Sequence, residues 1–179
     1  MDVGVPTWLE ERLFDQRMVM LQGPITAESA TRVAAILFTL DAAGNQPVRL
    51  HVNAADGDLT GVFALVDALD LMRAPVHALA TAQIGGAVVG VFAAARRRLA
   101  YPHARFRLTE PKIDQLAGTA DQIAAAAGRH LQSLDDLVVR VAKATGQPRS
   151  RVEDDFSTGR VMSATEARDY GLVDDIVSG

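Results

Sequence analysis

Apolar positions along this 179-residue chain switch repeatedly between the two-residue step of a strand and the three-and-four step of a helix. Trp8-Leu9-Glu10-Glu11-Arg12-Leu13 reads as a short amphipathic lead-in, residues 1–12, and Met18 to Leu21 as a buried strand closed by Gly23-Pro24. Thr26 is placed to cap a helix whose apolar face is Val33, Ile36, Leu37 and Leu40, stopped at Gly44. Val48-Arg49-Leu50-His51-Val52 alternates as a strand and opens into the loop Asn53-Ala54-Ala55-Asp56-Gly57-Asp58. From Asp58, a good N-cap, a helix presents Val62, Val66, Leu69 and Met72 on one face. After Pro75, Val76 to Ala80 is a short apolar strand, which turns at Gly85-Gly86 into a small-residue helix from Val88 to Ala95.

Two short strands around Pro102 follow, Leu99 to Tyr101 and Arg105 to Leu108. Thr119 with Gln122 reads as a capping box. It predicts a long helix over 119–144 bearing Ile123, Ala127, Leu131, Leu134, Val138 and Val141, with Asp135-Asp136 and Arg140-Lys143 on its exposed face. Gly146 ends it. Pro148 opens another helix that stops at Gly159, Ser163 and Glu166 form a further capping box, and Gly171 is a C-cap before a last strand, Leu172 to Val177. This alternation predicts an α/β fold of stacked βαβ units with a mainly parallel sheet, in one domain spanning 1–179.

Composition narrows the chemistry. Hydrophobic residues make up 49% of the chain and aromatics 5%, which suits helices on a sheet rather than an aromatic-rich sandwich. The net charge of −4 and the lack of a Lys/Arg stripe argue against nucleic acid. Arg96-Arg97-Arg98 reads as a solvated helix end. With no cysteine, disulfides, thiolate metal sites and a Cys nucleophile are excluded. The N-terminus does not read as a signal peptide, and no run approaches the roughly 18 apolar residues that span a bilayer, so a cytoplasmic protein without membrane contact is expected.

A strand feeding a helix through Gly85-Gly86 aims backbone N–H groups at one point, as suits an oxyanion. A nucleophile elbow would carry Ser or Cys at that turn, yet no Ser lies between Ser29 and Ser133. His51, His77 and His130 read as packed or surface histidines. Asp56, Asp58, Glu110 and Asp155 read as solvated loop carboxylates, with convergence on a hard cation as the sharper alternative. Neither a metal nor a cofactor is expected.

From about Leu13 to Val177 the order of motifs resembles the ClpP family, the proteolytic subunits of ATP-dependent Clp proteases. The resemblance rests on Thr145-Gly146-Gln147-Pro148, Met162-Ser163-Ala164-Thr165-Glu166-Ala167 and Tyr170-Gly171-Leu172-Val173-Asp174, together with Pro102-His103-Ala104-Arg105. It implies a ClpP/crotonase-like fold whose long helix, 119–144, is a protruding handle. It also implies assembly into heptameric rings, with itself or with an active ClpP paralogue, and docking of a Clp ATPase. The family's Ser-His-Asp triad carries over as Gly86 in the serine position, Thr109 in the histidine position and Asp155 in the aspartate position. Gly57 and Ala87 fall at the oxyanion donors, and Asp56 replaces a family glycine. For Asp155 two readings stand side by side, a remnant of the triad or a helix residue with a local partner. The resemblance therefore implies a catalytically degenerate subunit. Two rivals are an active serine endopeptidase of the same family, and a crotonase-like acyl-CoA-binding protein using Gly57 and Ala87 with Asp56 or Glu110 as acid/base.

Overall fold

The computed structural model describes residues 6–113 and 116–178. In chain order it contains helix α1 (Thr7–Asp15), strand β1 (Met18–Gln22), α2 (Ala27–Ala43), β2 (Val48–Ala54), α3 (Leu59–Leu71), β3 (Val76–Gly85) and α4 (Val88–Ala94). There follow β4 (Arg97–Ala100), β5 (Arg105–Leu108), α5 (Ala120–Thr145), α6 (Arg149–Thr158), β6 (Arg160–Ser163), α7 (Ala164–Tyr170) and β7 (Asp175–Ile176). Five strands run in parallel in the order β1-β2-β3-β4-β7, while β5 lies parallel to β3 and β6 antiparallel to β5.

Helix starts follow the chemistry of their caps. Thr26 and Thr119 accept from the amides of Ser29 and Gln122, and Ser163 accepts from that of Glu166. In each case the third residue bonds back to close a capping box. Glu166 is held below the usual carboxylate range by its bonds to Ser163. Asp58 caps α3 by accepting from Gly61 N at 2.6 Å. Helices α5, α6 and α7 stop at Gly146, Gly159 and Gly171 in the left-handed conformation.

The central strand is longer than its apolar run. Residues His77 to Ala80 of β3 pair with β4, and the register against β2 slips between Val52 and Ala54. Gln83 to Gly85 then pair with Arg105 to Arg107 of β5. One strand thus serves two neighbours in succession, and its second half delivers the Gly85-Gly86 turn beside β5. Strand β6 was not expected from the apolar pattern either, because only its antiparallel partner β5 stabilises it. The final strand is shorter than expected. Leu172 and Val173 instead turn back to bond the Ala167 carbonyl.

Arg96-Arg97-Arg98 is a solvated helix end only in part: Arg96 and Arg97 are exposed, but Arg97 already begins β4. Arg98 lies in β4 with a side chain only 13% exposed, bonding both oxygens of Asp174 and donating to the Ala144 carbonyl at 2.9 Å. This ties the end of α5 to the strand edge. From α5, Arg140 likewise reaches across the fold to Asp70 of α3, while Asp135 pairs with Arg149 of α6.

One cluster of buried apolar residues fills the space between sheet and helices, with Phe92, Phe106 and Phe156 its largest members. Helix α5 contributes only Leu137, Val138 and Val141 as buried residues. Ile123 and Leu131, expected on its packed face, are 38% and 63% exposed, since among the described residues the first half of the helix is largely uncovered. Among the described residues no helix is long and apolar enough to cross a membrane.

Candidate active site

Gly86 has φ of +55°, a conformation that strains any residue with a side chain. Its amide donates to the Arg107 carbonyl at 3.2 Å, fixing the turn to β5. Gly85 needs its missing side chain for another reason: a Cβ there would come within 2.6 Å of the Ala55 carbonyl oxygen. The loop after β2 therefore lies directly on the Gly-Gly turn.

That loop is pinned at several points. Ile25 N donates to the Asp56 carbonyl at 3.1 Å, and Asp58 N donates to the Ile25 carbonyl at 2.9 Å. Gln83 N donates to Asn53 Oδ1 at 3.2 Å. Gly57 sits between, where a Cβ would lie 2.9 Å from Ile25 Cβ and 3.3 Å from Val88 Cγ2. Gly57 is consequently carried against Val88, the first residue of α4. The Gly57 amide donates to Asp56 Oδ1 at 2.8 Å, and the same oxygen lies 3.1 Å from where a Cβ on residue 86 would stand.

Thr109 follows β5 directly. Its Oγ1 is buried without a hydrogen-bond partner among the described residues. The next amide, Glu110 N, donates to the Phe156 carbonyl at 3.3 Å, which sets this segment against α6. Gly86, Thr109 and Asp155 are thus linked by backbone bonds through β5 and α6. The Asp155 carboxylate, however, is engaged locally, accepting from Tyr170 Oη at 2.8 Å and from Arg160 at 3.2 Å. Burial, then the bond to Asp155 and its charge, push the Tyr170 phenol well above its usual range. The Arg151 and Arg160 guanidinium carbons lie 5.4 and 5.1 Å from the Tyr170 ring centre. Of the two readings of Asp155, the local partner is the one visible here.

The acidic set does not converge. Asp58 caps α3, Asp155 holds Arg160 and Tyr170, and no metal-sized cluster of His or carboxylates occurs among the described residues. His51 is half-buried, and burial together with nearby Arg49 favours its neutral form. Lys112 to Gly118, which the resemblance sets against bound peptide, falls partly outside the described residues. A groove of about 530 Å³ lies elsewhere, between α1, β1 and α2, lined in part by Leu13, Phe14, Met18, Met20, Val33 and Ile36.

Residues 7–179 match the Clp protease family profile. The chain belongs to the Clp protease family. It is 33% identical over 171 residues to ATP-dependent Clp protease proteolytic subunit 3 of Rhizobium etli, covering 94% of this chain and 88% of that one. It is 31% identical over 173 residues to proteolytic subunit 1 of Chlamydia caviae, with 94% and 91% covered. Against subunit 1 of Bifidobacterium longum the identity is 30% over 169 residues, with 93% and 72% covered. Gly86→Ala is expected to lower stability by about 1–2 kcal/mol, with part of the loss recovered when Asp56→Ala removes the nearby oxygen. Denaturant midpoints of the four proteins of that cycle measure it, and a neutral Gly86→Ala would mean the turn relaxes out of the left-handed region.

Proposed function

We propose that this chain is a structural or regulatory ring subunit of a Clp-type protease assembly, and that it does not itself cleave peptides. The observation that carries the reading is Gly86, which occupies the turn where the family's nucleophile stands and offers no reacting atom. Thr109 supplies no imidazole at the base position, and without nucleophile and base no acyl-enzyme forms. Asp155 is the retained triad position, serving as a strut between α6, β6 and α7.

The assembly part is supported by the half-uncovered α5, whose Ile123 and Leu131 face outward as a handle would for a second copy. The groove between α1 and α2 offers an apolar seat of the sort a neighbouring subunit or a Clp ATPase would fill. Both rival chemistries, serine acyl transfer and a crotonase-like site, require the Gly57 amide to be free, and Asp56 takes it.

The test is intact mass after treatment with a fluorophosphonate serine probe, with native mass spectrometry of the chain alone and mixed with an active Clp proteolytic subunit. The expected result is no adduct, and incorporation into seven-membered rings. A stoichiometric adduct would refute the inactive reading, and a chain that stays monomeric in both samples would refute the ring reading.

A further inference from the structure

We propose that Asp56 is a built-in stopper of this site, a residue that blocks it independently of the missing serine and histidine. The inference rests on the assignment of Gly57 and Gly86 to the oxyanion-donor and nucleophile positions. Two distances carry it. Asp56 Oδ1 accepts from the Gly57 amide at 2.8 Å, so the donor is already satisfied by an anion of the chain's own. The same oxygen is 3.1 Å from the Cβ position of residue 86, so it also stands where a side chain would leave the turn.

The chemistry follows from charge. A tetrahedral intermediate needs donors aimed at the oxygen that becomes negative. Here that oxygen would meet a carboxylate, which accepts and repels. Backing away is difficult for the loop, because Ile25 bonds both the Asp56 carbonyl and the Asp58 amide, and Asn53 is held by Gly23 and Gln83. Only rotation of the Asp56 side chain frees the Gly57 amide. Asp58 has no part in this, since its carboxylate caps α3 at Gly61. The site therefore carries three separate lesions, and restoring two of them leaves the third.

The experiment compares two reconstituted proteins, Gly86→Ser/Thr109→His with Asp56 kept and the same pair with Asp56→Ala. Each is treated with a fluorophosphonate, and adduct mass is followed in time. In that reaction the introduced hydroxyl attacks phosphorus, the P–O bond forms as the P–F bond breaks, fluoride leaves, and the proton passes to the introduced imidazole. Labelling is expected to be roughly 100-fold faster once Asp56 is removed, the scale of one oxyanion donor. Equal rates would overturn the proposal. Amide exchange at Gly57 in the otherwise unaltered chain gives an independent reading, and decides the matter if neither reconstituted protein is labelled. Asp56→Ala is expected to speed that exchange about tenfold or more, in line with loss of a protecting hydrogen bond; an unchanged rate would overturn the proposal. An adduct on the unaltered chain would instead count against the inactive-subunit reading, so the two failures are distinguishable.

Discussion

Gly86→Ser alone is expected to yield no measurable peptide hydrolysis, with a rate on the order of 10⁶ below a working triad. Triad members act as a unit, so restoring one of two missing groups recovers little. On the proposed assignment the introduced hydroxyl would find Thr109, not an imidazole, at the base position, and Thr109 Oγ1 is itself buried without a partner among the described residues. Asp155 could not substitute, because Arg160 and Tyr170 hold its carboxylate. The new side chain would also start 3.1 Å from Asp56 Oδ1. A fluorogenic peptide assay on the purified variant measures the effect. Turnover well above buffer background would reveal a base that the geometry around Gly86 does not provide.

Phe106→Ala is expected to destabilise the fold by about 3–5 kcal/mol, the range for deleting a buried aromatic. Phe106 is fully buried, and its ring centre lies 5.5 Å from that of Phe92 in a tilted arrangement. It pairs in register with Ile84 of β3 on one side and Met162 of β6 on the other. The cavity would therefore open beneath the Gly-Gly turn, at the junction of α4, β3 and β5. Urea unfolding with an unchanged slope and a lowered midpoint is the expected readout. A loss below about 1 kcal/mol would mean that the junction closes over the void, which the interlocked pairing of β5 opposes.

What the sequence made legible was local. Thr26, Asp58, Thr119 and Ser163 announce helix starts because each side chain bonds an amide three residues away, and the structure has all four bonds. The core faces of α2 and α3 follow from their spacing in the same way. Long-range pairing was less visible. Gln83 to Gly85 carry no strand-like pattern and become strand only because Arg105 to Arg107 lie beside them. Strand β6 depends on the same partner. Arg98 looked solvated because its acceptors, Asp174 and the Ala144 carbonyl, are far along the chain.

At the site, glycine at the nucleophile position rests on the resemblance alone, while the bond from the Gly57 amide to Asp56 was not legible in the sequence. A carboxylate next to a glycine is an ordinary loop sequence. Its consequence depends on the loop being clamped by Ile25 and laid over Gly86, which takes the folded chain to reveal. Asp155 shows the converse. Its position matched the family pattern, and only Tyr170, fifteen residues on, shows how its carboxylate is used.

A helix whose leading half is largely uncovered among the described residues would, in the proposed ring, tie folding to abundance. In the proposed ring, Ile123 and Leu131, 38% and 63% exposed, would gain their further covering by mass action, which strengthens as copies accumulate. The melting point of such a protein is then not a constant of the sequence. In the proposed ring it would rise with concentration, and dilution alone would loosen the leading half of the helix.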